Sequence, residues 1–546
     1  MTPADSSRSP LRVGVMLDGM RVPAWSGWVL GAVAAHEHLH LALAVVCDGS
    51  VPEPRPALFR LYEALDRRLF RPQPDALEPV DISPTLCRVP RVHAPLVPAV
   101  GSDRRLRDED VAAVRRASLD VLLRLGDATP RGGILSAARH GVWSWHFGDP
   151  VRYRGEPPLF WELSLPEAAA VSVLEVVTDG PGPGTVIYRS AASTDPVSLQ
   201  RTRNSVYWKS ARFALRRLED LEAGRWRPEP AATAAPPAPD RAAPSTADTV
   251  RHLARLARRH GWRKLRSASL ERQWFLGLRR RRPEVLPYED STPWQVVLPP
   301  DDRSWADPFV VEHDAETFVF LEQLRFANGK GELAVGRVEP DGRLTGVEPV
   351  LSADHHLSYP YILRDAGRVF MVPESGEARR LDLWTATDFP LRWERAATLL
   401  EGVSAVDASI VRHGDLYWMW VNTAVPGARV HDEAWLYFSD RLEAGWTAHP
   451  RNPVVSDARR ARSGGRPFLH GDMLVRPAQD CTGRYGSRLV FNAVEVLTPD
   501  DYHERTVGAL PPSWAPGRNL CAHTYTFDGR WEATDGLRRI PRWRAR

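Results

Sequence analysis

Asp307, Glu374 and Asp407 are acidic residues at matching places in a repeated pattern. The segments DPFVVEHDAETFVFLE, YPYILRDAGRVFMVPE and DASIVRHGDLYWMWVN align with Asp307, Tyr359 and Asp407 in one register. Their second runs end in Glu322, Glu374 and Asn422. Each segment reads as a strand, a short turn and a second strand. A repeat of about 50 residues with this texture predicts the radial blades of a β-propeller. The innermost strands of a propeller begin near its central channel. Asp307 and Asp407 therefore stand where a funnel would open, and Glu374 ends a neighbouring strand. Carboxylates converging on a funnel suit glycosidic-bond chemistry, in which one acts as a carboxylate and another donates a proton. The plainer role also fits these residue types. An Asp at a strand start can cap backbone amides, and Glu374 can pair with nearby Arg379. His356, Tyr359, Arg476, Gln479 and Glu322 are the polar side chains placed to bind sugar hydroxyls or a phosphate. The 20 Trp suit sugar stacking, although most are expected in packing.

These residues need five blades to position them. A fourth unit spans 471–497 and a fifth 520–536, and the run 292–298 is expected to complete the last blade. The first half has a different texture. Leu11–Leu17 (LRVGVML), 41–47 (LALAVVC) and 120–125 (DVLLRL) read as buried parallel strands. Helical stretches at 25–35, 134–139 and 207–221 alternate with them, which predicts a wound α/β sheet. The expected organisation is an α/β domain over 1–224, a Pro/Ala-rich linker over 225–250, a basic helical segment over 251–289 and a propeller over 290–546. Proline is concentrated in the linker, which reads RWRPEPAATAAPPAPDRAAPST.

Several short motifs of the second half carry a resemblance as a group. They are Ala306-Asp307-Pro308-Phe309, Phe320-Leu321-Glu322, His356-Leu357-Ser358-Tyr359-Pro360, Pro373-Glu374-Ser375, Val406-Asp407-Ala408-Ser409, and Arg476-Pro477-Ala478-Gln479-Asp480 with Tyr485-Gly486. This region resembles the five-bladed propellers of glycoside hydrolase family 43. It resembles more closely still the N-terminal region of plant glucosamine inositolphosphorylceramide transferases. The family 43 likeness implies that Asp307 is a general base, with Asp407 and Glu374 completing an acidic set.

Residues 140–162 read HGVWSWHFGDPVRYRGEPPLFWE. They resemble the signature of folate-dependent formyltransferases, with His146, Tyr153, Arg154, Gly155, Pro158 and Trp161 at matching places. The likeness implies a formyltransferase-like wound parallel sheet, His146 as proton shuttle and 10-formyltetrahydrofolate as a possible donor. Formyl transfer needs an oxyanion stabiliser, a shuttle and an orienting carboxylate. Here Ser144 stands in place of the family's Asn, and Gly182 stands where its Asp should be. Asp149 and Glu162 are the replacement carboxylates, and Arg154 is a further binding residue. A fold kept as a scaffold and a divergent transferase both fit.

The formal charge is +4, distributed unevenly. Residues 251–282 hold 12 Lys/Arg and one acid, Glu271, a local +11 that leaves −7 elsewhere. Such a stretch suits a membrane surface or a phosphate, although a solvated helix face is the simpler expectation. No nucleic-acid partner is expected. The four cysteines, Cys47, Cys87, Cys481 and Cys521, make no C-x-x-C pair. No metal site is expected, and a cytoplasmic location fits. Three readings follow: an enzyme acting on a glycan or glycoconjugate through the propeller; a formyl- or acyltransferase using His146, with the propeller binding its acceptor; and a non-catalytic ligand-binding protein.

Overall fold

The computed structural model describes residues 9–47, 55–98, 104–126, 131–150, 152, 157–164, 169–179, 184–226, 244–515, 517 and 519–545. The chain forms two compact units. One holds residues 1–256 with 425–428, and the other 257–424 with 429–546.

The first unit is built on a seven-stranded sheet. Arg91–His93, Leu39–Val46, Leu11–Leu17, Val121–Arg124 and Val142–Phe147 run parallel. Ala169–Val176 and Thr185–Ser193 extend the sheet antiparallel. Both faces are buried, which explains the near-continuous apolar runs. Val13, Val15, Leu17, Val121 and Leu123 pack against Trp25, Val29 and Val33 of the helix Ala24–Ala35 and Phe213 of the helix Phe213–Glu222. On the other face Met16, Val45 and Leu122 meet Val111 and Val114 of the helix Asp108–Arg116. Each such side chain taken from water contributes about 1.5–3 kcal/mol. Two local expectations change. The helix expected over 134–139 is a 3-10 turn at Gly132–Ser136, and the one over 207–221 is two helices, Leu199–Ser210 and Phe213–Glu222. The parallel α/β sheet is present, but the closer formyltransferase-like winding has no support.

The second unit contains five antiparallel sheets. The first blade runs from Arg303–His313 through Glu316–Arg325 and Gly331–Val338 to Leu344–Leu351. The second runs from Ser358–Asp365 through Arg368–Glu374 and Arg380–Asp388 to Arg392–Glu401. The third runs from Val406–His413 through Leu416–Asn422 and Ala434–Ser439 to Thr447–Ala448. In the fourth, Arg462–Ser463 and Phe468–His470 both pair with Met473–Asp480, which is followed by Arg488–Leu497 and Tyr502–Leu510. The fifth joins both ends of the unit: Tyr525–Asp528 and Trp531–Pro541 from the end of the chain, then Leu270–Arg280 and Gln295–Val297 from before the first blade. This pairing closes a ring of blades and leaves the outer strand of each blade as an edge.

The strand Leu270–Arg280 corrects an expectation. The basic segment is helical only over Thr246–Ser269 and then becomes a strand. Its charge does not all face solvent. Arg279 is buried, bonded to Glu532 and lying 4.0 Å from the centre of the Trp294 ring. Within the helix, Thr249 and His252 are buried, while Arg251, Arg258 and Lys264 are exposed.

Candidate active site

The repeated register has a backbone cause. The first three inner strands each slip out of the ladder at the same place, between Ala306 and Phe309, Ser358 and Tyr361, and Val406 and Ser409. Asp307, Tyr359 and Asp407 sit in these bulges with φ of 49°, 45° and 49°. A side chain in this left-handed region costs on the order of 1–3 kcal/mol, and bulges re-aim side chains beside functional sites. Pro308 and Pro360 fit the unpaired positions because they have no N–H to lose. The three bulges turn Asp307, Tyr359 and Asp407 into one buried cluster.

Asp407 is the anionic centre of this cluster. Its Oδ2 accepts from Arg462 Nε at 2.5 Å and from Gln479 Nε2 at 3.1 Å. Burial alone would raise its pKa, but the Arg462 charge and a hydrogen bond from Glu374 outweigh burial and hold it below the ordinary value. Glu374 behaves oppositely. Burial, then the charge of Asp407, hold its pKa well above the ordinary carboxylate range, despite Arg462 Nη2 lying 3.6 Å from its Oε2. The same surroundings thus favour the protonated form of Glu374 and the ionised form of Asp407. Arg462 Nη1 donates to His431 Nδ1 at 2.7 Å. Burial and that guanidinium push His431 down to about 3, so its ring is a neutral acceptor.

A second acid–base group lies beside the first. Asp307 accepts from Thr524 Oγ1 at 2.6 Å and from the Tyr359 amide at 3.3 Å. Burial raises Asp307 to about 7, against the opposing charge of His523. His523 Nδ1 is 2.5 Å from Asp535 Oδ2 and 3.8 Å from Asp307 Oδ1. Burial alone would lower its pKa, but Asp535 and Asp307 hold it up to about 9. Trp274 stacks on its ring at 4.0 Å and Tyr485 meets it edge-on at 5.3 Å. Asp307, His523 and Asp535 bring their ligand atoms within 4.8 Å of one another, so a divalent cation could replace the His523 proton there.

At the more open side, His356 Nε2 lies 3.2 Å from Glu322 Oε1, and its Nδ1 accepts from the Gly331 amide at 3.0 Å. The hydrogen bond to Glu322 raises the His356 pKa despite burial. Tyr359 is a positioning element. Its hydroxyl lies 2.8 Å from Ser409 Oγ and accepts from the Gly465 amide at 2.8 Å, joining three blades.

Arg476 does not join this set. It is fully buried and forms two 2.8 Å bonds to Glu504 within its own blade. The reason is strand alternation. Arg476 and Gln479 share the strand Met473–Asp480 three residues apart, and odd spacing sends them to opposite faces. Reasoning from sequence missed Arg462, His431, Thr524, His523, Asp535 and Trp274. The residues Arg462-Ser463-Gly464-Gly465 and His523-Thr524 were visible but lay outside the three aligned repeats.

In the first unit, His146 and Ser144 lie on the strand Val142–Phe147. Ser144 Oγ accepts from Arg124 at 2.9 Å, and the Asp149 carboxylate from Arg189 at 2.9 Å. Glu162 is buried on the helix Phe160–Ser164. Arg154 and Gly182 lie outside the described residues. These contacts give a 10-formyltetrahydrofolate site no support.

Residues 301–520 match the family described as glucosamine inositolphosphorylceramide transferase 1, N-terminal. Glucosamine inositolphosphorylceramide transferase 1 of Oryza sativa subsp. japonica is 30% identical over 220 residues, covering 39% of this chain and 29% of its own length. Its Arabidopsis thaliana counterpart is 31% identical over 220 residues, covering 39% and 28%. The chain thus spans less than a third of these relatives. The matched stretch includes Asp307, Glu374, Asp407, Arg462 and Gln479, and ends before His523 and Asp535. Among solved structures, an exo-beta-1,3-galactanase from Clostridium thermocellum superposes at 12% identity and a TM-score of 0.32, covering 43% of this chain and 60% of that one. A superposition of that extent carries no functional conclusion.

Proposed function

We propose that the propeller is a carbohydrate-active domain that breaks or transfers a glycosidic bond of a glycoconjugate. The observation that carries this reading is the meeting of two carboxyls, Glu374 and Asp407, on the one Arg462 guanidinium in a buried cluster, which pushes Glu374 up and Asp407 down from the ordinary carboxylate range. Neighbouring carboxylates whose surroundings push their pKa values apart mark an acid and its partner. Similarity to plant transferases whose name includes glucosamine and an inositolphosphoryl lipid supports a sugar-bearing substrate.

In this reading Glu374 gives its proton to the leaving oxygen as the glycosidic C–O bond breaks. Asp307, which titrates near neutrality, takes the proton of the incoming water or acceptor hydroxyl as the new C–O bond forms. Asp407 keeps Glu374 protonated, and Arg462 with Gln479 holds Asp407 in place. His523 restrains the pKa of Asp307 from rising further. Glu322 and His356 offer an acceptor and a donor to hydroxyls at the more open side.

The test is turnover of aryl glucosaminides and other aryl hexosides by the full chain, in hydrolysis and with an added polyol acceptor. Wild type should turn over at least one probe, and Glu374→Gln should lose most of that activity. Equal rates in the two proteins would refute the role of Glu374.

A further inference from the structure

The helix Thr246–Ser269 changes character along its length. Its buried residues, Thr249 and His252, lie in the first half. Among the described side chains from 257 to 269, none is buried. This second half holds five Lys/Arg and no acid. It also carries Gly261, which weakens helix propensity. A helical stretch this short, with no apolar face packed away, is marginal in water. A surface that covers it would stabilise it.

Trp262 indicates which kind of surface. It is 54% exposed. Arg258 and Arg259 precede it by four and three residues, so the three share one helix face. The acids nearest in sequence are already engaged. Asp248 bonds Arg251 at 2.6 Å, and Glu271 lies 3.3 Å from Arg542. Among the described residues, no acid pairs with Arg258 or Arg259. A second indole lies at the end of the same helix. The Arg542 amide donates to the Ser269 carbonyl at 3.0 Å, which joins the turn 542–544 to the helix. Trp543 in that turn is 71% exposed, with the Arg544 guanidinium 5.1 Å from the centre of its ring. Trp262 lies seven residues before Ser269, about 10 Å of helix rise. Two exposed indoles, each beside guanidiniums, thus lie on one connected basic stretch of the second unit. Tryptophan beside arginine suits a water–lipid interface, where the ring enters the headgroup level and the cation meets anionic lipid. The backbone of a nucleic-acid duplex would answer the charge alone.

We propose that this surface docks the protein on an anionic phospholipid membrane, with Trp262 and Trp543 entering the headgroup layer and Arg258 and Arg259 meeting its phosphates. The proposal goes beyond the carbohydrate reading and does not rest on it.

The experiment sediments the full chain with phosphatidylcholine vesicles, with and without phosphatidylserine, at low and raised salt. Two double variants alter the surface, Arg258→Glu with Arg259→Glu and Trp262→Ser with Trp543→Ser. None of the four residues is buried, and melting curves confirm that both proteins fold. Wild type should bind the vesicles that contain phosphatidylserine, more weakly as salt rises, and leave those without it unbound. The arginine variant should bind about thirtyfold more weakly or worse, at about fivefold for each cation removed. The tryptophan variant should bind about tenfold more weakly, the apolar burial of the two rings being lost. Wild type that binds neither vesicle overturns the proposal, as does an arginine variant that binds as wild type does. A tryptophan variant with undiminished binding, together with equal affinity of wild type for a DNA duplex, also overturns it, because the surface then reads charge and not lipid.

Discussion

Arg462 and Arg476 are both buried in the propeller, and each holds a carboxylate at hydrogen-bond distance. Their surroundings differ. Arg476 is 0% exposed and Glu504 2% exposed. Tyr502 also bonds Glu504 at 2.6 Å, and Arg460 reaches it at 3.3 Å. There the anion is surrounded by donors, and Glu504 stays below its ordinary pKa because Arg476 outweighs burial. Arg462 and Asp407 are 8% and 3% exposed, but Glu374 adds a further carboxylate to the same guanidinium. One arginine facing two acids cannot neutralise both, so one of them keeps its proton. In the Glu504 cluster two guanidiniums and a hydroxyl hold one carboxylate, and the cluster fastens a blade. The Asp407 cluster carries an extra acid, and that acid is pushed towards its protonated form.

The comparison breaks most visibly in activity. Glu374→Gln and Asp407→Asn should each lower turnover by about 10²–10⁴-fold, the usual contribution of a positioned acid or base. Steady-state rates check this, and circular dichroism confirms the fold. Arg476→Met should do the reverse. It leaves the buried Glu504 with Tyr502 and the more distant Arg460 only, and should cost about 3 kcal/mol of stability in denaturant titration. The KM of the remaining folded enzyme should stay unchanged.

His523 sharpens the comparison through pH. The acid limb of the rate profile should follow Asp307, near pH 7. The His523 charge lowers the Asp307 pKa, so His523→Gln should move that limb to higher pH. Stability should follow the same group. His523 is raised to about 9, so its contribution is fully present below its unfolded pKa of about 6.5 and is lost as pH rises through about 9. Wild-type melting temperature should therefore fall across that window more steeply than in the variant. The smallest effect belongs to Tyr359→Phe. Loss of its hydroxyl bonds to Ser409 and Gly465 should cost about 1 kcal/mol, read by melting, with little change in rate.

Much of this architecture was legible in sequence wherever the repeat was regular. Asp307, Tyr359 and Asp407 aligned because three blades share one bulge, and Glu374 followed because it ends the paired strand. The run 292–298 reads as part of the last blade, and Gln295–Val297 pairs there with Leu270–Arg280. Arg462 and His523 escaped because the last two blades break the repeat. The fourth splits its inner pairing between Arg462–Ser463 and Phe468–His470, and the fifth draws strands from both ends of the unit. Leu270–Arg280 was hidden by its arginines. A charge run reads as a solvated helix until Glu532, far along the chain, is seen to bond Arg279. Arg476 illustrates the opposite error. A polar residue in a promising motif reads as a ligand-binding group, but the face of its strand directs it to Glu504.

The most direct test of the central claim is an infrared difference spectrum between wild type and Glu374→Gln at neutral pH. Because Glu374 keeps its proton beside an ionised Asp407, wild type should show a carboxylic-acid C=O band that the variant lacks. Asp407→Asn should shift that band's loss to lower pH, because it removes the charge that holds the proton on. A wild-type spectrum with only carboxylate bands at this position would contradict the account.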